Sequence, residues 1–206
     1  MNKLIFEACV ETLEEAIAAQ NRGANRIELC SALDQDGLTP SVELTMQCVK
    51  NLSIPIMAMV RPRGGNFVYS EEEIRKMEEE IKFFKLSGVA GVVFGLLTND
   101  DEIDKVNTNR LASLASPLDV TFHKAIDYSS DIFKSFVQLN DIEGITRVLT
   151  SGGKDTAWNG RSVLKQMQNM PGRQIRIIAA GKVLPENRES IANYTGVKEL
   201  HGKRIV

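Results

Sequence analysis

Eight short apolar strand patterns recur along this chain, at residues 4–9, 26–30, 55–61, 91–95, 118–123, 146–151, 174–179 and 198–201. Helical patterns fill the intervals of roughly 20 to 35 residues, the length of a βα unit. Such alternation builds a parallel sheet. Eight units predict a closed (β/α)8 TIM-type barrel, with a doubly wound open sheet as the alternative. Two features favour the barrel. Cys9-Val10-Glu11-Thr12 follows the first strand where a dinucleotide fold would carry Gly-x-Gly-x-x-Gly. Several strands also hold polar residues, which a barrel can host at its mouth.

The helices carry their own punctuation. Thr12 with Glu15, and Ser70 with Glu73, read as capping boxes, and Gly23 and Gly88 as stops. Thr39-Pro40 is expected to open the second helix. Ile74, Met77, Ile81 and Phe84 share one helix face, and Ile132, Phe133, Phe136 and Val137 are expected to share another. No linker or compositional break interrupts the pattern, so residues 1–206 read as one domain. The chain has 206 residues and ends five positions beyond residue 201, against about 250 for a full barrel, so the final C-terminal helix is missing from the pattern. The outer face around Leu4, Phe6 and Leu200 is then expected to be bare, which predicts a homo-oligomer.

A net charge of −2 gives no global attraction to nucleic acid or to an anionic membrane. No apolar run reaches membrane-spanning length. Glu7 comes too early for a signal peptide, so the first residues read as a strand. Three cysteines, an odd number without a short-spaced pair, argue against a disulfide framework or a zinc ribbon. These features predict a cytoplasmic protein with reduced thiols and with neither nucleic acid nor membrane as partner.

Side-chain parity locates the chemistry. Successive strand residues face opposite sides. Taking Leu4, Phe6, Ala8, Ile27 and Leu29 as outward, the lumen receives Glu7, Cys9, Arg26, Glu28, Cys30, Met57, Met59, Arg61, Asp119, His123 and His201. Buried charges of both signs form either a neutralising network or a site. Two cysteines from neighbouring strands suit a soft metal ion, although a free cysteine is more often a small buried hydrophobe. Met57 and Met59 read mainly as core filler, and Cys48, on the second helix, as packing or surface. Glycine-rich turns beside cations follow three strands: Arg61-Pro62-Arg63-Gly64-Gly65, Thr150-Ser151-Gly152-Gly153-Lys154 and Ala180-Gly181-Lys182. Such turns either bind an anion or are simply tight turns.

Seven motifs, in order, resemble the CutC copper homeostasis family: Glu7-Ala8-Cys9-Val10, Arg26-Ile27-Glu28-Leu29-Cys30-Ser31, Gly37-Leu38-Thr39-Pro40-Ser41, Arg61-Pro62-Arg63-Gly64-Gly65, Val93-Phe94-Gly95, Thr121-Phe122-His123 and Leu149-Thr150-Ser151-Gly152-Gly153. The resemblance implies a TIM-type barrel, a cytoplasmic setting, Cu(I) bound by Cys9 and Cys30, and self-association as a dimer or tetramer. The family's Phe-His-Arg-Ala-Phe-Asp stands here as Phe122-His123-Lys124-Ala125-Ile126-Asp127, and its glycine triplet after the seventh strand as Ala179-Ala180-Gly181. The leading expectation is therefore a copper-binding protein without redox turnover. The alternative is an enzyme acting on a small anionic metabolite, phosphorylated or carboxylated. In it His123 and Glu28 move protons, and Arg61, Arg63, Glu7, Asp127, Ser151 and Gly152 bind substrate. A third reading is a scaffold with a vestigial site.

Overall fold

The computed structural model of the protein describes residues 3–206. Its eight strands are β1 (Ile5–Val10), β2 (Arg26–Leu29), β3 (Ile56–Met59), β4 (Gly91–Phe94), β5 (Asp119–Phe122), β6 (Ile145–Thr150), β7 (Arg176–Ala179) and β8 (Glu199–Gly202). They pair in parallel and in chain order, and β8 closes onto β1. The expected barrel is present. Seven α-helices surround it: α1 (Leu13–Asn21), α2 (Val42–Asn51), α3 (Glu71–Ser87), α4 (Lys105–Ala115), α5 (Ile132–Asn140), α6 (Arg161–Gln168) and α7 (Arg188–Thr195). No helix follows β8 in the described residues, and none is long and apolar enough to cross a membrane.

Parity sorts the strand residues into two shells. Ala8, Ile27, Leu29, Ala58, Val60, Val92, Val120, Phe122, Val148, Ile177 and Leu200 face the helices and form one continuous apolar layer. Burying that layer is the main force holding helices to sheet. Inside the barrel, Cys9, Cys30, Met57, Met59 and Val93 make a separate cluster. Below them runs a charged chain. Arg26 pairs with Glu7 and, at 2.6 Å, with Glu199. Arg147 continues it to Glu199 at 3.0 Å and to Asp119 at 2.7 Å. Each charge along this chain thus meets an opposite one, as low-dielectric burial demands.

The local signals hold in part. Ser70 and Glu73 form a reciprocal capping box, and Gly88 ends α3 at φ 92°. Ile74, Met77, Ile81 and Phe84 are buried. At α1, Thr12 accepts from the Glu15 amide, but the Glu15 carboxylate takes the Glu11 amide instead, so the box is not reciprocal. Ser41, not Thr39-Pro40, caps α2. On α5 the buried face is Ser135, Phe136 and Leu139, and Val137 is exposed. The outer face of β1 and β8 is not bare either. Leu200 and Ile205 are buried, Val206 packs on the same layer, and the Arg188 guanidinium lies 4.0 Å from the centre of the Phe6 ring.

Candidate functional site

The mouth of the barrel gathers thiols, acids and a histidine from β1, β2 and β8. Cys9 and Cys30 bring their Sγ atoms to 3.9 Å. Glu28 Oε2 stands 3.6 Å from the Cys30 sulfur. His201 bridges the seam, with Nδ1 2.9 Å from Glu7 Oε1 and Nε2 3.7 Å from Glu28 Oε2. Its charge also acts on the Cys9 sulfur. Two ligand sets, Cys9 with Glu28 and Cys30, and Glu7 with Glu28 and His201, are each compact enough to share one ion. Glu7 faces His201 and Cys9 faces Glu28 in the strand register, so parity alone produces the cluster.

The sulfurs are electrostatically unequal. The hydrogen bond from the Cys30 thiol, aided by the His201 contact and charge, outweighs burial and holds Cys9 at about 5. The same bond, then burial and the neighbouring negative charges, push Cys30 up. These opposite directions favour negative charge on Cys9, with Cys30 as the donor. Burial pushes the Glu28 carboxyl up against the pull of His201. Burial also opposes the His201 charge, but Glu28, the Cys9 sulfur and Glu7 raise its pKa. We place that charge against Glu7. Despite burial, Arg26 and His201 keep Glu7 ionised down to about pH 2.

A cavity of about 300 Å³ opens above the sulfurs, at the low end of the usual range for small-molecule sites. Cys9, Glu28, Met59, Arg61, His123 and His201 all line it. Cys9 borders this space, and Cys30 is fully buried behind it. His123 Nδ1 accepts the Ala125 amide at 3.2 Å, so the ring proton sits on Nε2, which is buried without a protein partner. Burial first, then Arg61 and Lys124, hold the His123 pKa at about 3. His123 is a neutral hydrogen-bond donor here.

Several expected anion ligands are engaged elsewhere. Arg61 donates to the Gln35, Asp36, Gly37 and Gly65 carbonyls and so ties two loops together. Arg63 lies outside the cavity, bound to Glu73 at 2.5 Å and to the carbonyls of Gly64, Asn66 and Val68. Glu7 is sealed beneath the cavity by Arg26 and His201. The turn after β6 is already filled. Asp127 accepts the Ser151 amide at 2.9 Å and the Gly153 amide at 2.8 Å, and the Gly152 amide goes to Thr150 Oγ1. Asp127, Ser151 and Gly152 therefore form an internal anion clamp rather than a free anion site. The motif supplied the donors, and the chain supplied its own carboxylate.

Two residues matter more than their sequence signals suggested. Parity sets His201 inward as a weaker acid/base or metal-ligand candidate than His123, and in the structure it is the hinge of the cluster. Arg147 belongs to no motif of the sequence, yet it joins Glu199 to Asp119. Applying parity to β6 would have set it inward with Leu149.

Comparisons with known proteins agree with this architecture. The model for "CutC family" matches residues 4–206. A family protein CutC of Histophilus somni (strain 2336) is 41% identical over 196 residues, covering 95% of this chain and 80% of the relative. The copper homeostasis protein cutC homolog of Homo sapiens is 38% identical over 200 residues, covering 97% of this chain and 73% of the relative. A crystal structure of CutC from Streptococcus agalactiae superposes with a TM-score of 0.92 at 33% identity, covering 98% of this chain and all of that one. Dihydrodipicolinate synthase from Bacillus anthracis, at TM-score 0.68 and 13% identity over 98% of this chain and 70% of that one, shares the fold alone.

Proposed function

Since this chain belongs to the CutC family, we propose that it handles copper in the cytoplasm, with Cys9 and Cys30 holding one Cu(I) ion at the barrel mouth. The observation that carries this reading is the 3.9 Å approach of two buried sulfurs beside an open cavity. Cu(I) is soft and favours sulfur donors. With metal–sulfur bonds of about 2.3 Å, as for zinc thiolates, a linear pair would span about 4.6 Å. The observed gap therefore supports a bent pair with room for a third donor. Met59 packs in the same cluster and lines the same cavity. A thiolate at Cys9 lets the ion bind with release of one further proton, from Cys30, and Glu28 is beside it to receive that proton. All three cysteines are free, which suits a reducing compartment.

The test is an anaerobic titration of reduced protein with Cu(I) against a colorimetric chelator. One equivalent should bind tightly, and Cys9→Ser or Cys30→Ser should abolish it. Cys48→Ser is the control, because Cys48 is buried on α2 away from the lumen. Unchanged affinity in the Cys9→Ser/Cys30→Ser double variant would remove the proposal.

A further inference from the structure

The loops after β7 and β8 each present a Gly-Lys pair to the cavity, Gly181-Lys182 and Gly202-Lys203. Among the described residues, the main-chain N–H groups of Gly181, Lys182 and Lys203 donate to no protein acceptor. The turn after β6 differs, since its amides are filled by Asp127 and Thr150. Lys182 is also held at φ 52°, a left-handed conformation that is unfavourable for a lysine. Strain of that kind persists only where the surroundings fix it. Here it follows Gly181 at φ 101°, and together they set the lysine on the rim of the cavity.

Charge at this rim is mainly positive. Lys182 makes no ion pair among the described residues, and Lys203 reaches only Glu11, at 3.7 Å. Lys124 also lines the cavity but is committed to Asp127 and Ser151. The acids that line it are Glu28, deep beside the thiols, and Asp36 on the opposite loop. Across the cavity stands His123, whose Nε2–H lacks a protein acceptor. Phe67, Tyr128 and Leu149 supply an apolar wall.

We propose that this end of the cavity binds the phosphoryl group of a small phosphorylated metabolite. The amides of Gly181, Lys182 and Lys203 and the two lysine ammonium groups hold its oxygens, and His123 donates to the organic part. Parallel barrels commonly bind phosphate at the loops after the seventh and eighth strands, where amides and cations converge. Charge-assisted donors of this kind form the stronger hydrogen bonds. The site is independent of the copper reading, because it uses neither sulfur.

The experiment is isothermal titration of the copper-free full chain with inorganic phosphate and with glycerol 3-phosphate, using malonate as the carboxylate control. Both phosphate probes should bind, glycerol 3-phosphate more tightly, and malonate more weakly than either. Lys182→Ala/Lys203→Ala, two exposed positions, should lower phosphate affinity by about tenfold or more without changing the melting temperature of the unliganded protein. His123→Phe should weaken glycerol 3-phosphate but not inorganic phosphate. Absence of binding by both phosphate probes, affinity unaffected in the double-lysine variant, or malonate binding as tightly as phosphate would overturn the proposal.

Discussion

His201 and Glu7 face each other across the seam where β8 closes onto β1, with Nδ1 and Oε1 2.9 Å apart. This contact orients the ring so that its other nitrogen lies towards Glu28 and its edge towards Cys9. An imidazolium held there favours the Cys9 thiolate, the form a metal ion requires. His201→Gln should therefore lower Cu(I) affinity by about tenfold near neutral pH. The deficit should shrink as pH rises, because the thiol then ionises without help. Competition titrations across a pH series read both effects. A deficit that is constant with pH would mean that His201 acts only by packing.

Arg26 stands between Glu7 and Glu199 and neutralises both beneath the site. Arg26→Met keeps the volume but leaves two carboxylates with one fewer cation in a dry lumen. A loss of about 3–5 kcal/mol is expected, since breaking a buried pair strands its partner. Urea denaturation of both proteins measures it. Arg63→Met removes a partly exposed pair with Glu73 and bonds to carbonyls of its own loop, whose partners water can replace, and should cost less than the buried change.

Much of this arrangement is legible in the sequence, for a specific reason. Strand parity is a local rule, and it fixes which shell Ala8, Cys9, Glu28 and Met59 enter without any knowledge of the fold. Side-chain commitments are not local. Arg61 and Arg63 sit in a motif that looks built for anions, but Arg61 bonds the Gln35, Asp36 and Gly37 carbonyls, which only tertiary closure brings near, and Arg63 turns back onto carbonyls of its own loop. Likewise the Gly152-Gly153 turn reads as an anion loop, and nothing in its own residues shows that Asp127 fills it. Val137 looked inward because the periodic pattern of α5 fits two faces, and packing selected the one through Phe136 and Leu139.

Gly95 makes room for His123. A Cβ at this position would lie 2.5 Å from His123 Nδ1 and 2.6 Å from Cε1, too close for any side chain. Gly95→Ala must displace the ring and break its bond to the Ala125 amide. Overpacking of this kind costs typically about 1–3 kcal/mol. In a double-mutant cycle, His123→Ala should recover most of that cost, because it removes the obstructing ring. Thermal or urea unfolding of the four proteins supplies the cycle. Simple additivity would show that Gly95 is needed for another reason.

His123 also predicts how stability responds to acid. Its imidazole is buried, and burial with the nearby Arg61 and Lys124 charges holds its pKa at about 3, far below the ordinary histidine value of about 6.5. The unfolded chain therefore binds a proton at a pH where the native state refuses one. The sign follows from linkage: between about pH 6.5 and 3 the unfolded state carries more protons, so stability rises with pH across that window. The contribution is complete above about 6.5 and is lost progressively as pH falls towards 3. Each pH unit inside the window is worth up to about 1.4 kcal/mol. Glu28 and Cys9 also carry shifted pKa values, but they are common to both proteins, so the difference in slope between wild type and a His123 variant isolates the histidine. His123→Asn should lie below the wild type in stability at neutral pH, through lost packing, yet show a flatter slope between pH 6.5 and 4.5. Denaturant titrations at half-unit pH intervals measure that slope. Equal slopes in the two proteins would show that the native imidazole takes up its proton as readily as the unfolded one, and would contradict its burial as a neutral donor.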